Sequence, residues 1–323
     1  MQIRSMYKII SHIASNLKVL NIVAIAIVCM LIVIFSLWHR ESTRHLLVQT
    51  APADVPYHEH TPENTHYDHM TWAKGAAVVP EDLWITKISA SVRGAPRAIF
   101  HNTYLSIENE RDTWCPDNPR FIWSGSTVST KHATIYDPPY GIFLKKGTVL
   151  DLEAAFHNGN DEGSGESFKA ASLALDIQYE LAPNSDRSKT LRFALIDASG
   201  CSRDRPIFTI PAGAKNAAFD TRSRPFVFDH DATILRAAAH FHGSYESSAS
   251  NTLRLFLNDA LIDEFTTQNI TDDDARNPRL LQGQSPIPVG AGDTVWMEAL
   301  FDNPSNVPVY EGMAIVGLYY SMR

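Results

Sequence analysis

Short apolar runs that alternate with polar residues fill the chain after Glu81. Examples are LWITKISASV (83–92), GIFLKKGTVLDLEAAFHN (141–158), RPFVFDHDATILRAAAHFHG (224–243) and MAIVGLYYSM (313–322). Such alternation places successive side chains on opposite faces of a strand, and turn formers such as Asp, Asn, Pro and Gly separate the runs. Many short strands with little helical periodicity predict a mostly β protein of the β-sandwich or jelly-roll type.

A polar stretch divides this β region into halves of similar length. Residues 182–189 read APNSDRSK. The whole region of about 240 residues is large for one sandwich. We therefore expect two tandem jelly-roll β-sandwich domains, a first at residues 81–189 and a second at residues 190–323.

The segment before the β region predicts a His/Pro-rich linker. Residues 46–80 contain several prolines and acidic residues and no periodic apolar pattern. They also contain four histidines, His58, His60, His66 and His69. A tract of this kind either binds metal loosely or forms a polar juxtamembrane stalk.

An uncharged segment near the N terminus predicts a transmembrane helix. Val19–Trp38 carries no charged residue, and as a helix it spans roughly 30 Å, the thickness of a bilayer core. Arg4, Lys8 and Lys18 precede it, which favours a cytoplasmic tail and an ectodomain outside the cytoplasm, either periplasmic or lumenal and extracellular. Residues 1–45 are thus predicted to form a tail and a single-pass signal anchor. A cleaved signal peptide, whose apolar core is shorter and ends in small residues, is the competing interpretation.

Charge and cysteine content restrict the partners and the compartment. Three of the 28 basic residues and none of the 36 acidic residues lie in the first 38 residues, so the rest of the chain has a net charge of −11. An acidic surface repels phosphates, and no nucleic-acid partner is expected. Outside the anchor the cysteines are Cys115 and Cys201. They either form one disulfide in an oxidising compartment or remain separate buried thiols.

The stretch RAAAHFHGSY (236–245) carries the first candidate for metal chemistry. His240 and His242 are two residues apart in a strand-like run, so both imidazoles lie on one face and can reach one ion. The same spacing also arises when two histidines merely face solvent. Met313 lies in an apolar setting further along, and a thioether joined to two imidazoles favours Cu(I) over zinc. The alternative role for Met313 is core packing.

The first half of the β region offers further imidazoles, His101, His132 and His157. His101 and His157 interrupt apolar runs near the ends of the predicted strands. They are either hydrogen-bonded core residues or parts of a site.

The order of motifs resembles one family of enzymes. The chain reads PYGIFLKKGTVLDLEAAFHN, then IPAGAK, then HFHG, and closes with VGAGDTVWMEALFDN and EGM before LYY. This order resembles the copper type II, ascorbate-dependent monooxygenases, which include peptidylglycine α-hydroxylating monooxygenase and dopamine β-monooxygenase. The resemblance spans roughly residues 81–323, and its second half is the more specific.

The resemblance implies two jelly-roll domains that face each other across an open cleft and carry one copper ion each. It implies that His240, His242 and Met313 hold the copper that activates dioxygen. It also implies that His101 and His157 hold a second copper, which relays electrons from ascorbate or another donor.

Two positions depart from the family pattern. Asn102 stands where the family has the second of two adjacent histidines, and an amide is a poorer copper ligand than imidazole. His132 is a candidate for the missing ligand. Ala238 stands where the peptide-processing members have an arginine that holds a substrate carboxylate, and Arg236 is further along the same face. A peptide C terminus is therefore a doubtful substrate.

Three functions agree with these residues. The first is a membrane-tethered monooxygenase with up to two copper ions, which hydroxylates a C–H bond of a small-molecule or peptide substrate with O2 and a reductant such as ascorbate. The second is a non-catalytic copper-binding protein for storage, delivery or sensing on the same scaffold. The third is a β protein without metal, in which every histidine has a structural role. The motifs GxSxG, HExxH and CxxC do not occur in the sequence, which removes the reaction classes that depend on them.

Overall fold

In a computed structural model, the chain forms two units, Met1–Arg44 and His45–Arg323. The structure describes residues 25, 27–31, 44–59, 69–159, 165–181, 189–201, 207–242, 251–266 and 286–322. In the first unit, residues 27–31 form a short exposed apolar helical segment. Most of the predicted membrane span, Val19–Trp38, lies outside the described residues, as does the predicted cytoplasmic tail. None of the helical segments among the described residues has the length and apolar character needed to cross a bilayer.

The first sandwich consists of two antiparallel sheets packed over one hydrophobic core. One sheet has the order β1-β10-β4-β7, with β2 beside β10 and β8 beside β4, and the other has the order β3-β9-β5-β6. Its strands are β1 (Arg44–Gln49), β2 (Ala53–Val55), β3 (Thr71–Val78), β4 (Leu83–Arg93), β5 (Phe100–Arg111), β6 (Pro119–Ser126), β7 (Thr134–Ile135), β8 (Ile142–Leu144), β9 (Val149–Phe156) and β10 (Phe168–Leu181).

The strands of the first sandwich correct the prediction that residues 46–80 form a linker. The segment contains β2, β3 and most of β1, and β3 pairs with β9 along its whole length. Val48 and Val55 are buried in the core of the first sandwich. Edge strands bury only alternate residues, so their apolar signal is weak and the prolines around them dominate the pattern. His60 and His66 lie outside the described residues.

The second sandwich begins after the chain leaves β10 at Leu181, and it has the same two-layer construction. One sheet has the order β11-β20-β15-β18, with β12 beside β20, and the other has the order β13-β19-β16-β17, with β14 beside β19. Its strands are β11 (Leu191–Asp197), β12 (Phe208–Ile210), β13 (Ala217–Asp220), β14 (Phe226–Val227), β15 (Ala232–His242), β16 (Asn251–Leu257), β17 (Ala260–Thr266), β18 (Ile287–Val289), β19 (Thr294–Phe301) and β20 (Val309–Met322). The prediction of a mostly β protein is confirmed.

The sheet β11-β20-β15-β18 is covered on both faces. Its inner face packs into the core of the second sandwich through residues such as Ala239 and Val316. On its outer face, Phe193 and Tyr319 pack into the core of the first sandwich, with ring centroids 4.9 Å apart. Gly317 lies beneath Phe193, because a Cβ atom at position 317 would come within 2.7 Å of the Phe193 ring. This close approach requires the glycine.

Covalent and polar contacts also join the two sandwiches. Cys115, in the loop between β5 and β6, forms a disulfide with Cys201, in the loop after β11, and their Cα atoms are 5.5 Å apart. The neighbouring Trp114 donates from Nε1 to the carbonyl of Arg224 over 2.9 Å. Of the two alternatives for the cysteines, the structure therefore shows the disulfide.

Candidate functional site

A cleft of about 690 Å³, which includes space open to solvent, lies between the two sandwiches, against the outer face of the sheet β11-β20-β15-β18. Residues from β5 to β7 of the first sandwich form its polar wall: Asn102, Tyr104, Ser124, Gly125, Ser126, Ser129 and Thr134. Residues of β11, β15 and β20 form its apolar wall: Phe193, Leu195, Ala238, Ala239, His240, Met313, Ile315, Gly317 and Tyr319. The cleft thus contains two of the residues that the sequence singled out for copper, His240 and Met313.

The register between β15 and β20 brings the predicted copper ligands of the second domain together. His240 pairs with Ile315, and position 242 pairs directly with Met313. Directly opposed residues of an antiparallel pair share a face, and so do residues two apart along a strand. Positions 240, 242 and 313 therefore share the outer face. His240 is half-buried and Met313 is 1% exposed. The structure describes the backbone of His242 but not its side chain.

Hydrogen bonds order the polar wall. Asn102 is buried, and its Nδ2 donates to the Tyr104 hydroxyl over 3.4 Å. The Tyr104 ring packs against Phe121, with centroids 5.3 Å apart. In the turn after β6, the Ser129 hydroxyl accepts from the backbone N–H of Ser126 over 3.1 Å. Asn102 therefore lies in the cleft wall with its amide held by its neighbour.

Arg236 is engaged in a contact between the sandwiches. It lies on the same face as Ala238, as alternation predicts. One guanidinium nitrogen donates to the Asp137 carboxylate, and another donates to the carbonyl of Ile135 over 3.2 Å. A substrate carboxylate would have to compete with Asp137 for this guanidinium.

Three imidazole side chains lie close together at the end of β9. His157 follows this strand and is fully buried, and its backbone N–H donates to the carbonyl of Ile99. The rings of His58 and His69 stack with centroids 4.4 Å apart. Desolvation lowers the pKa of His58, and the neighbouring His69 and His157 lower it further. Two histidines from the predicted linker thus lie near His157, which the resemblance assigned to the relay copper.

The other predicted first-domain ligands lie on different segments. His101 occupies the irregularity at the start of β5, where the register to β9 shifts between Phe100 and Asn102. His132 lies in the turn before β7, and both residues are half-buried. Among the described residues, no group of three or more His, Cys, Asp or Glu side chains is arranged to hold a metal ion. A relay copper at His101, His157 and His132 stays a prediction.

Another pocket, of about 380 Å³ including space open to solvent, lies beside the disulfide, and two acidic residues are part of its lining. Asp197 accepts hydrogen bonds from the N–H and the hydroxyl of Ser199, and burial raises its pKa from 3.8 to about 7. Asp112 accepts from the N–H groups of Trp114 and Cys115, and burial raises its pKa as well. Both carboxylates order turns next to the cysteines, which is a structural role.

Most residues of the polar wall were not predicted from the sequence. Asn102 stood out only as a replacement for a copper ligand of the family, and neither Tyr104 nor the serines of β6 stood out. One signal was available, because Asn102 and Tyr104 are polar groups at i and i+2 in an apolar strand. Another was Gly317 inside a strand, which indicates a close approach of another group.

The protein belongs to the mostly β class, with two sandwiches and a cleft between them. No protein-family model matches the chain. The search of curated proteins found no match either. Solved structures show weak likenesses. PNGF-II is 11% identical with a TM-score of 0.39, and the match covers 87% of this chain and 65% of that chain. The major capsid protein P2 of bacteriophage PM2 is 8% identical with a TM-score of 0.37, and the match covers 87% of this chain and 98% of that chain. This chain thus spans less than two thirds of the length of PNGF-II.

Proposed function

We propose that this chain is a membrane-anchored copper-dependent monooxygenase made of two jelly-roll sandwiches, with its ectodomain outside the cytoplasm. The observation that carries the proposal is the register of β15 and β20, which opposes position 242 to Met313 and leaves His240 on the same face of the cleft. The disulfide between Cys115 and Cys201 supports an oxidising compartment.

The donor set fits Cu(I). Two imidazoles and a thioether are the soft and borderline ligands that this ion prefers. Met313 is nearly inaccessible to solvent, and Ile315 beside it adds to the apolar surroundings that disfavour water as a competing ligand. The cleft in front of this face leaves space for O2 and a substrate.

Copper bound by these residues supplies the reductive activation of dioxygen that hydroxylation of a C–H bond requires. The overall reaction converts R–H, O2, two electrons and two protons into R–OH and water, with ascorbate or a similar reductant as the electron donor. His240, His242 and Met313 hold the ion, and the cleft positions R–H. In this proposal His101 and His157, with His132 as a third ligand, serve electron entry in the first sandwich. His58 and His69 add two more imidazoles near His157.

A second candidate is a non-catalytic copper-binding protein for storage, delivery or sensing. The observation that favours it is the placement of Asn102, which occupies the position of a family copper ligand but is held in the cleft wall by Tyr104. In this alternative the chain binds one ion at His240, His242 and Met313.

The test is a copper count on the purified full chain in detergent after reconstitution with Cu(I). It is combined with a measurement of ascorbate-dependent oxygen uptake. The variants are His240→Ala, His101→Ala and His132→Ala, and the control is His230→Ala, since His230 is exposed and pairs with Asp229. Two copper ions per chain with oxygen uptake support the monooxygenase. One ion lost in His240→Ala, without uptake, supports the binding protein. A chain that retains no copper refutes both.

A further inference from the structure

One polar group of the cleft has hydrogen-bonding capacity that its protein neighbours do not fill. Asn102 is 8% exposed. Its Nδ2 donates to the Tyr104 hydroxyl over 3.4 Å, which is a long hydrogen bond. Its Oδ1 is buried and accepts no hydrogen bond from the described residues. A buried carbonyl oxygen without a donor costs free energy, so such a group in a cleft wall points to an external donor.

The described residues that line the cleft carry no fixed charge, because none of them is Asp, Glu, Lys or Arg. A charged ligand in this space would therefore lose its hydration without gaining a counter-ion. The lining favours a neutral ligand.

The two walls differ in polarity. The polar wall presents Asn102 and the hydroxyl groups of β6, whereas the apolar wall presents Leu195, Ile315 and Met313. A ligand between them meets an amide on one side and aliphatic side chains on the other. This arrangement selects a molecule with a polar edge and an apolar body.

We propose that the cleft binds a neutral small molecule that carries an N–H or O–H donor on an apolar body. The donor bonds to the amide oxygen of Asn102, and the apolar body packs against Leu195 and Ile315. The torsion about Cβ–Cγ of asparagine is broad, so the amide can turn its oxygen towards the ligand. That this ligand is the substrate of hydroxylation rests on the proposed function, but its binding does not require copper. Asn102 is thus a ligand-positioning residue.

The experiment uses the copper-free full chain in detergent with ¹³C-methyl methionine, because Met313 is one of the residues that line the cleft. The Met313→Leu variant identifies its resonance among those of the 7 methionines. The probes are benzamide, N,N-dimethylbenzamide, which lacks the N–H donor, and benzoate, which is charged. Asn102→Leu removes the amide, Asn102→Ser serves if the leucine variant does not fold, and Asn109→Leu is the control on an exposed asparagine of the same strand.

We expect benzamide to shift the Met313 resonance in a saturable titration, and benzoate to have no effect. The affinity for benzamide falls about tenfold in Asn102→Leu, the typical value of one hydrogen bond, and does not change in Asn109→Leu. N,N-dimethylbenzamide binds the wild type and Asn102→Leu equally. Absence of a benzamide shift, or equal benzamide affinity in the wild type and Asn102→Leu, overturns the proposal. The copper content of the reconstituted wild type tests the proposed function separately, because the benzamide titrations use copper-free protein.

Discussion

Met313 on β20 is the direct cross-strand partner of His242 on β15. Because side chains alternate between faces, a slip of one residue in this register would move Met313 from the cleft to the core side of the sheet. The pairing of Ala238 with Gly317 and of His240 with Ile315 continues the same register. The geometry of the proposed copper site is therefore a property of the central strand pair of the second sandwich.

Replacement of Met313 by leucine tests the sulfur donor without a large change in volume. We expect Met313→Leu to lower the Cu(I) affinity at least tenfold, because the thioether is lost, while stability falls by less than about 1.5 kcal/mol. Competition with a chromophoric Cu(I) chelator measures the affinity. Met297→Leu is the matched control, since Met297 is also fully buried but lies in the core of the second sandwich. Equal affinities for Met313→Leu and Met297→Leu would contradict a role for the sulfur.

Gly317→Ala tests the close packing at the base of the cleft. The added Cβ would lie 2.7 Å from Phe193 Cε2, so the ring must shift. We expect a loss of about 1–3 kcal/mol in the free energy of unfolding. Gly290→Ala is the control, because the nearest atoms to its added Cβ are 3.8 Å away. Denaturant titration measures both variants, and a Gly317→Ala protein as stable as Gly290→Ala would show that Phe193 does not restrict this position.

Because the pKa of Asp197 is raised, we expect the stability of the protein to depend on pH. Burial raises the folded pKa of this carboxyl from 3.8 to about 7, so between these values the folded state binds a proton that the unfolded state has lost. The contribution of Asp197 to the free energy of unfolding is therefore largest below about pH 4. It declines as the pH rises to about 7 and is constant above that. Asp197→Asn keeps an acceptor for Ser199 and should remove up to about 4 kcal/mol of this decline.

Denaturant titrations of the wild type and Asp197→Asn at several pH values between 4 and 8 measure the effect. The slope does not vanish completely, because burial also raises the pKa of Asp112. Asp220→Asn is the control, since its carboxylate is exposed and accepts from the N–H of Arg222. If the wild type and Asp197→Asn lose stability in parallel as the pH rises, Asp197 does not carry the raised pKa.

The disulfide should stabilise the junction of the sandwiches. The bond closes a loop of 86 residues, and removal of a native disulfide typically costs about 2–4 kcal/mol. We expect the double variant Cys115→Ala, Cys201→Ala to lose this amount in denaturant titrations, with an effect on both sandwiches. Cys29→Ala is the control, because Cys29 is a free cysteine outside the His45–Arg323 unit. A double variant as stable as Cys29→Ala would show that the noncovalent contacts are sufficient.

Sequence reasoning predicted the central strands of the fold better than the edge strands. The alternation in β15 and β20 was clear enough to place His240 and His242 on one face from the sequence alone. It failed for β1, β2 and β3, where half of the residues face solvent and prolines lie nearby. Local patterns also do not report which strands become neighbours. The proximity of His58 and His69 to His157 depends on such long-range pairing, and so does the presence of Asn102 and Met313 in one cleft.

The cysteine pair also determines what limited proteolysis will show. The bond from Cys115 to Cys201 spans the segment between Leu181 and Lys189 that links the sandwiches. A protease that cuts once within this segment will therefore yield two fragments that migrate together on a non-reducing gel and separate after treatment with dithiothreitol. The two sandwiches are thus one covalent molecule even when the peptide chain between them is broken.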